Sequence, residues 1–222
     1  MININNYNII IVDGTVGKTS ICCRFAEDSF TQQYKQTVGV DFFIRRIQLP
    51  KYHIALQLWD IGGQSIGSKM ITNYISGAHV VLLCYDITNY DSFANLEDWY
   101  RLVLKTFEGQ KTMPYTVLVG NKTDLRHLTA VKSQLHVQFA EENEMASFFM
   151  SAKSGDQVKQ AFYTIAASVA GITIPQDELI NQPSIIPATI IDYKRHDEEV
   201  NDGKVLDYSK SNKGMFNNCT IS

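Results

Sequence analysis

Residues 9–20 read IIIVDGTVGKTS, an apolar run that ends at Val12 and is followed by Asp13, Gly14, Thr15, Val16 and then Gly17-Lys18-Thr19. A loop of the form Gly-x-x-x-x-Gly-Lys-Thr between a strand and a helix wraps backbone N–H groups around a phosphate. The first glycine of that form falls on Val12. Two alignments are open: Val12 replaces the glycine, or the glycine is absent and the loop is one residue short. The upstream run fits the second slightly better, because residues 8–12 then match the strand position for position. In the first alignment a β-branched residue would sit where the backbone can need φ > 0, which only glycine tolerates well.

Outward from this stretch, apolar and polar patterns alternate as far as residue 173. VDFFIRRIQL (40–49) and HIALQLWD (53–60) are strand runs separated by Pro50, Lys51 and Tyr52, and they predict a hairpin. HVVLLCYDI (79–87) and YTVLVGN (115–121) are continuous apolar runs, as expected of strands covered on both faces. ASFFMS (146–151) is a further strand. Helical spacing appears at 19–25, 92–107, 134–144 and 157–170, with Gly171 as the last stop. Strands alternating with helices predict βαβ crossovers and a three-layer α/β domain over residues 1–173. Beyond it, three of the five prolines gather in residues 174–222 and periodicity is lost, which predicts a flexible tail.

The chain has 222 residues, 45% of them apolar, enough for one domain with a full core. Its net charge of −3 and the lack of a basic stripe argue against nucleic acid as a partner. No apolar run reaches the roughly 18 residues that span a bilayer. The opening MININNYNIII has no basic segment or cleavage site, so a secretory leader is not expected. Cys22, Cys23 and Cys84 lack metal-ligand spacing and read as core thiols of a reducing compartment.

Gly-Lys-Thr alone is a weak signal, but three others follow it in order. WDIGGQ (59–64) puts Asp60 at a strand end, where it can hold a metal-bound water. Gly63 can bring a bare N–H to a terminal phosphate, and Gln64 can orient an attacking water. In VGNKTD (119–124), Asn121, Lys122 and Asp124 follow a strand. A carboxylate there can accept from the N1–H and exocyclic amine of guanine, a pair that adenine lacks. In MSAKSG (150–155), Ser151, Ala152 and Lys153 close the next strand, and the Ala152 N–H can meet the guanine oxygen. Lys18 supplies a point charge over the outer phosphates, and Thr19 a hydroxyl for Mg²⁺. Each fragment lies at the C-terminal end of a strand, the edge at which ligands of open α/β sheets gather.

Together these residues resemble the Ras-like small GTPases, and among them the Rab branch, over residues 8–172. VGVDFF (38–43), LQLWD (56–60), YISGA (74–78) and YDITNYDSF (85–93) are similar to Rab segments. The Ile-Gly-Gly-Gln form, with YKQTVGVDFFIRRIQLP and NLEDWY, is most similar to the divergent Rab-twenty-eight subgroup. The resemblance implies a six-stranded, mostly parallel sheet with five helices. It implies a GTP/GDP switch that hydrolyses GTP slowly and recruits effectors in membrane or vesicle trafficking. Nucleotide contacts would come from Gly14, Val16, Gly17, Lys18, Thr19, Ser20, Tyr34, Thr37, Gly63, Asn121, Lys122, Asp124, Ser151, Ala152 and Lys153. Thr19, Thr37 and Asp60 would hold Mg²⁺, and Gln64 would be catalytic. Phe42, Trp59 and Tyr74 match an effector-binding triad and read equally well as sheet packing. An exchange factor and a GTPase-activating protein are implied partners.

The chain ends NNCTIS, with Cys219 four residues from the terminus. This reads as a prenylation signal, its final Ser222 favouring farnesyl, and predicts a peripheral anchor on the cytoplasmic face of a membrane. One lipid chain anchors only marginally. Val12 leaves an alternative open, a catalytically impaired scaffold of the same fold with weakened nucleotide binding. A different P-loop enzyme, such as an ATPase, is disfavoured by the Asn-Lys-x-Asp segment.

Overall fold

The computed structural model of the chain describes residues 4–12, 14–33, 35–49, 52–63 and 70–173. Six strands form one sheet: β1 (Ile4–Val12), β2 (Val40–Leu49), β3 (Tyr52–Ile61), β4 (Val80–Asp86), β5 (Tyr115–Asn121) and β6 (Ala146–Phe149). Their order is β2-β3-β1-β4-β5-β6. All neighbours are parallel except β2 and β3, which form the expected antiparallel hairpin with Phe42 opposite Trp59. The six-stranded, mostly parallel sheet anticipated from the sequence is therefore present.

Helices cover both faces, and the alternation along the strands decides which side chain meets which layer. Ile9 and Ile11 point to one face, with Leu56, Leu58, Leu82 and Val119. They pack under α1 (Lys18–Glu27) and α6 (Val158–Ala170), where Phe25 stacks on Phe162 with ring centroids 4.1 Å apart. Ile10 and Val12 point to the other face. There they meet α2 (Ile71–Ser76), α4 (Leu96–Phe107) and α5 (Ser133–Glu142), through Ile75, Trp99, Val103 and Ala140. Every residue of β4 is buried, as a central parallel strand requires.

Two helical expectations are corrected. The segment expected over 92–107 starts earlier and is divided into α3 (Tyr90–Ala94) and α4, so six α-helices rather than five occur among the described residues. The Asn89 side chain accepts from the N–H groups of Asp91 and Ser92, which fixes the early start. Helix α2 has only six residues and two buried side chains, too few for a helical period to show in the sequence. No described helix is long and apolar enough to cross a membrane. Tyr34, Gln64, the tail at 174–222 and Cys219 lie outside the described residues.

Behind the strand ends, His136 of α5 is 1% exposed and stacks on Phe149 at 4.1 Å. Its Nδ1 lies 3.1 Å from the Tyr85 hydroxyl, while its buried Nε2 has no partner. Burial lowers the imidazole pKa from 6.5 to about 4. The unfolded chain therefore binds this proton more tightly than the folded one. Stability from this group is complete above the unfolded value of about 6.5 and is lost as pH falls from there through about 4. The full loss is on the order of 3 kcal/mol. Urea midpoints at about pH 7 and pH 4.5 should fall together less steeply in His136→Phe than in the parent chain. Equal slopes would show that this histidine does not carry the acid sensitivity.

Candidate functional site

One cavity of about 900 Å³ opens along the C-terminal edge of the sheet, a volume that suits a small-molecule ligand. Gly14, Gly17, Lys18 and Thr19 line it at one end, and Asn121, Lys122, Asp124, Ala152 and Lys153 at the other. The sheet order explains this convergence: β3, β1, β4, β5 and β6 all run parallel, so their C-terminal loops emerge side by side.

At the first end the chain leaves β1 and enters α1 at Gly17, whose φ of +93° suits glycine. A Cβ there would lie 2.8 Å from Asn121 Nδ2, so close approach and backbone conformation both require glycine. The first N–H groups of α1 carry no side-chain cap and face outward with the positive end of the helix dipole. Lys18 is 6% exposed, and its ammonium donates to the Gly14 carbonyl at 2.8 Å, arching back over the loop.

Val12 belongs to the strand. It pairs with Leu83, is fully buried among residues of the second core face, and is absent from the residues with positive φ. The strain anticipated at this position is therefore corrected: an extended backbone accepts valine readily. The missing glycine shows up as length, since only residues 13–17 connect the end of β1 to the start of α1.

Asp60 is the penultimate residue of β3, fully buried. Thr19 Oγ1 donates a short hydrogen bond to its Oδ2, and Thr37 Oγ1 donates to the same oxygen at 3.1 Å. The two hydroxyls are 3.0 Å apart. Asp60 Oδ1 is buried without a partner. Two hydroxyls and a carboxylate with an uncommitted oxygen form a hard-oxygen donor set of the kind Mg²⁺ takes alongside phosphates and water. Gly62 joins the segments around this point: its N–H donates to Gly39 at 2.9 Å, and a Cβ on it would lie 2.6 Å from the Thr37 carbonyl oxygen. Beneath the helix, burial and then the Asp60 charge push the Cys22 thiol well up, in keeping with an inert core cysteine.

At the other end Asn121, 1% exposed, ties the loops together. Its Nδ2 donates to the Val16 carbonyl at 2.9 Å, and its Oδ1 accepts from the Ala152 N–H at 3.1 Å. Lys122 has φ +70°, and its ammonium pairs with Asp86 at 2.6 Å. Ser151 is buried and donates to Asp124 Oδ1 at 2.6 Å, while Lys153 Nζ stands 3.8 Å from Oδ2.

Comparison with known proteins accords with this arrangement. Residues 8–171 match the model of the Ras family. The chain is 41% identical over 191 residues to the Ras-related protein Rab-28 of Caenorhabditis elegans, covering 86% of this chain and 77% of that protein. The chain belongs to the Ras family. It is a Rab-type small GTPase, similar to Rab-28, and such GTPases bind GTP and GDP with Mg²⁺ and hydrolyse GTP.

Within this small GTPase most residues singled out from the sequence line the cavity, including Ser20, Thr37 and Gly63. Val16 does not: its side chain is buried in the core, and only its carbonyl reaches the site, through Asn121. Ser151 acts from behind Asp124. Two residues escaped the sequence reading. Phe30 lines the cavity and was visible as an aromatic in a polar loop that also holds Tyr34. Arg24 left no signal, because its contacts lie across the fold: Nε donates to the Ala152 carbonyl and a terminal nitrogen to the Lys153 carbonyl, both at 2.8 Å.

Proposed function

We propose that residues 1–173 form a guanine-nucleotide switch that hydrolyses GTP and, while GTP is bound, recruits effectors in membrane or vesicle trafficking. The observation that supports this best is that one cavity carries a phosphate-type loop with a hard-oxygen cluster at one end and the Asp124 carboxylate, held by Ser151, at the other. Gly14, Gly17 and the start of α1 would hold the phosphates, with Lys18 swinging from Gly14 onto the outer ones. Thr19, Thr37 and Asp60 would hold Mg²⁺, which neutralises phosphate charge. Asp124 would accept from the guanine N1–H and amine. The Ala152 N–H already donates to Asn121 and would share that bond with the base oxygen. Lys122 and Phe30 would flank the base, and Tyr34 and Ser20 would complete the contacts.

Gln64 would orient the attacking water, and the Gly63 N–H would meet the terminal phosphate. Thr37 and Gly62 link the two segments around that phosphate, so its loss would release both together. With no arginine finger of its own in these motifs, the chain would hydrolyse GTP slowly until an activating protein supplies one. An exchange factor would reload it.

The effector surface would be Phe42, Trp59 and Tyr74. Phe42 and Trp59 meet edge-to-face at 5.1 Å, Trp59 and Tyr74 lie 6.3 Å apart, and Phe42 is 47% exposed. Val38, next to Thr37 in the chain, is 91% exposed. Cys219 on the tail would carry a prenyl group and hold the protein at the cytoplasmic face of a membrane. A Cys219→Ser chain that still fractionates with membranes would remove that part of the reading.

The test is the nucleotide released when the purified chain is denatured, followed by single-turnover hydrolysis with and without an activating protein. Guanine nucleotide and a slow, stimulated loss of GTP are expected. Adenine nucleotide would overturn the guanine reading. Guanine nucleotide with no loss of GTP over hours would favour the non-hydrolysing scaffold.

A further inference from the structure

We propose that Arg24, on the last turn of α1, is a positioning residue for guanine selectivity. The inference rests on the nucleotide reading above and adds to it a residue outside the motifs. The guanidinium spends three of its donors on backbone carbonyls: Nε on Ala152 at 2.8 Å, one terminal nitrogen on Lys153 at 2.8 Å and the other on Asp28 at 3.1 Å. Two adjacent peptide groups of the base-side loop are thus gripped by one planar fork, a geometry that a lysine's single ammonium does not reproduce.

The consequence lies in what those peptides carry. The Ala152 residue is fixed from both sides, its N–H by Asn121 and its C=O by Arg24. That N–H is the donor assigned to the 6-oxygen of guanine, and the fork sets its direction. The same guanidinium lies 6.0 Å from the Phe30 ring centroid, so the aromatic wall and the hydrogen-bonding edge of the base slot rest on one cation.

Arg24 is itself anchored. Asp28 accepts from it through a backbone carbonyl in a left-handed conformation, φ +56°. The Asp28 carboxylate pairs with Lys159 of α6 at 2.7 Å and, more loosely, with Arg45 of β2 at 3.9 Å. Helix α1 therefore carries Lys18 and Thr19 at its phosphate end and holds the base-side loop from its other end. Asp124 itself stands on a different loop, after β5. Ser151, which orients it, precedes the gripped peptides and is held by its own N–H to the Asp156 carbonyl, so a shift of the Ala152 and Lys153 peptides acts first on the 6-oxygen contact.

Three diphosphates separate these contacts. GDP presents the full edge, 6-thio-GDP replaces the 6-oxygen by a weaker acceptor, and IDP keeps that oxygen but lacks the amine that Asp124 reads. Dissociation of each from the full chain, with Mg²⁺, is measured for the parent, Arg24→Ala and Arg24→Lys. Arg24→Ala should release GDP on the order of tenfold faster. It should narrow the preference for GDP over 6-thio-GDP to about twofold or less, leaving the preference for GDP over IDP within about twofold of the parent. Arg24→Lys should fall between, and it carries the same comparison if Arg24→Ala does not fold. Equal acceleration of all three nucleotides would reduce Arg24 to a general structural role and overturn the proposal. So would a parent-like GDP to 6-thio-GDP ratio in the variants. A parent chain that holds no guanine nucleotide would instead sink the functional reading, which keeps the two failures distinct.

Discussion

Asp124→Asn is expected to weaken GDP binding by about 10³–10⁵-fold and to favour the diphosphate of xanthosine instead. The carboxylate is 18% exposed and is met from one side by the Ser151 hydroxyl at 2.6 Å and from farther off by Lys153. Its remaining lone pairs are available to the cavity that Asp124 lines. Guanine offers that edge two donors, N1–H and the exocyclic amine, and a carboxylate accepts both. An asparagine keeps one acceptor and turns the other oxygen into a donor, which leaves the amine facing an N–H across a desolvated gap. Xanthine carries N1–H and a 2-oxo group, which suits that donor–acceptor pair. Ser151 can still donate to the amide oxygen, so the loop keeps its support. Competition of GDP and the xanthosine diphosphate against a fluorescent guanine nucleotide measures both affinities. A preference unchanged by the substitution would remove Asp124 from the base-reading role.

What the sequence disclosed and what it hid follow from the range of the interactions involved. Strands β4 and β5 were legible because each is a nearly continuous apolar run set by two covered faces, whereas β2, an edge strand with exposed side chains, was legible through its hairpin with β3. Asp60 near a strand end and Thr19 after Gly17-Lys18 were legible as chemistry, whereas Thr37, in a loop before β2, entered only through the resemblance to the family. Arg24 was invisible: the residue it serves is 128 positions away and is held through a backbone carbonyl, which has no sequence signature. The Ala152 N–H shared with Asn121 was hidden for the same reason. Helix α2 was too short to show a period, and the jog at Asn95 keeps helical dihedrals, so neither left a break in the pattern.

Inserting one glycine after Val12 is expected to tighten GDP binding by on the order of 10- to 100-fold, whereas Val12→Gly is not. Val12 fills the core between β1 and the helices of the second face, fully buried and paired with Leu83. Replacing it by glycine removes a side chain whose burial is worth about 1.5–3 kcal/mol and adds roughly 0.5–1 kcal/mol of backbone entropy cost. The fold should lose about 3 kcal/mol with nothing gained at the phosphates, because the backbone there was never strained. The insertion acts on the other quantity. Five residues, 13–17, now separate the strand from the helix, one fewer than the six that the Gly-x-x-x-x-Gly-Lys form places before its lysine. A sixth residue would return one backbone N–H to the phosphate nest, a charge-assisted bond worth about 1.5–3 kcal/mol. Gly14, Gly17, Lys18 and Thr19 would keep their places, because Asn121 holds the neighbouring Val16 carbonyl and Lys18 opens the helix. Nucleotide dissociation rates and urea midpoints of the two variants separate the effects. If the insertion leaves GDP binding where it was, the five-residue connection presents all the donors that the phosphates use. The valine at its entrance is then only a core residue of the strand.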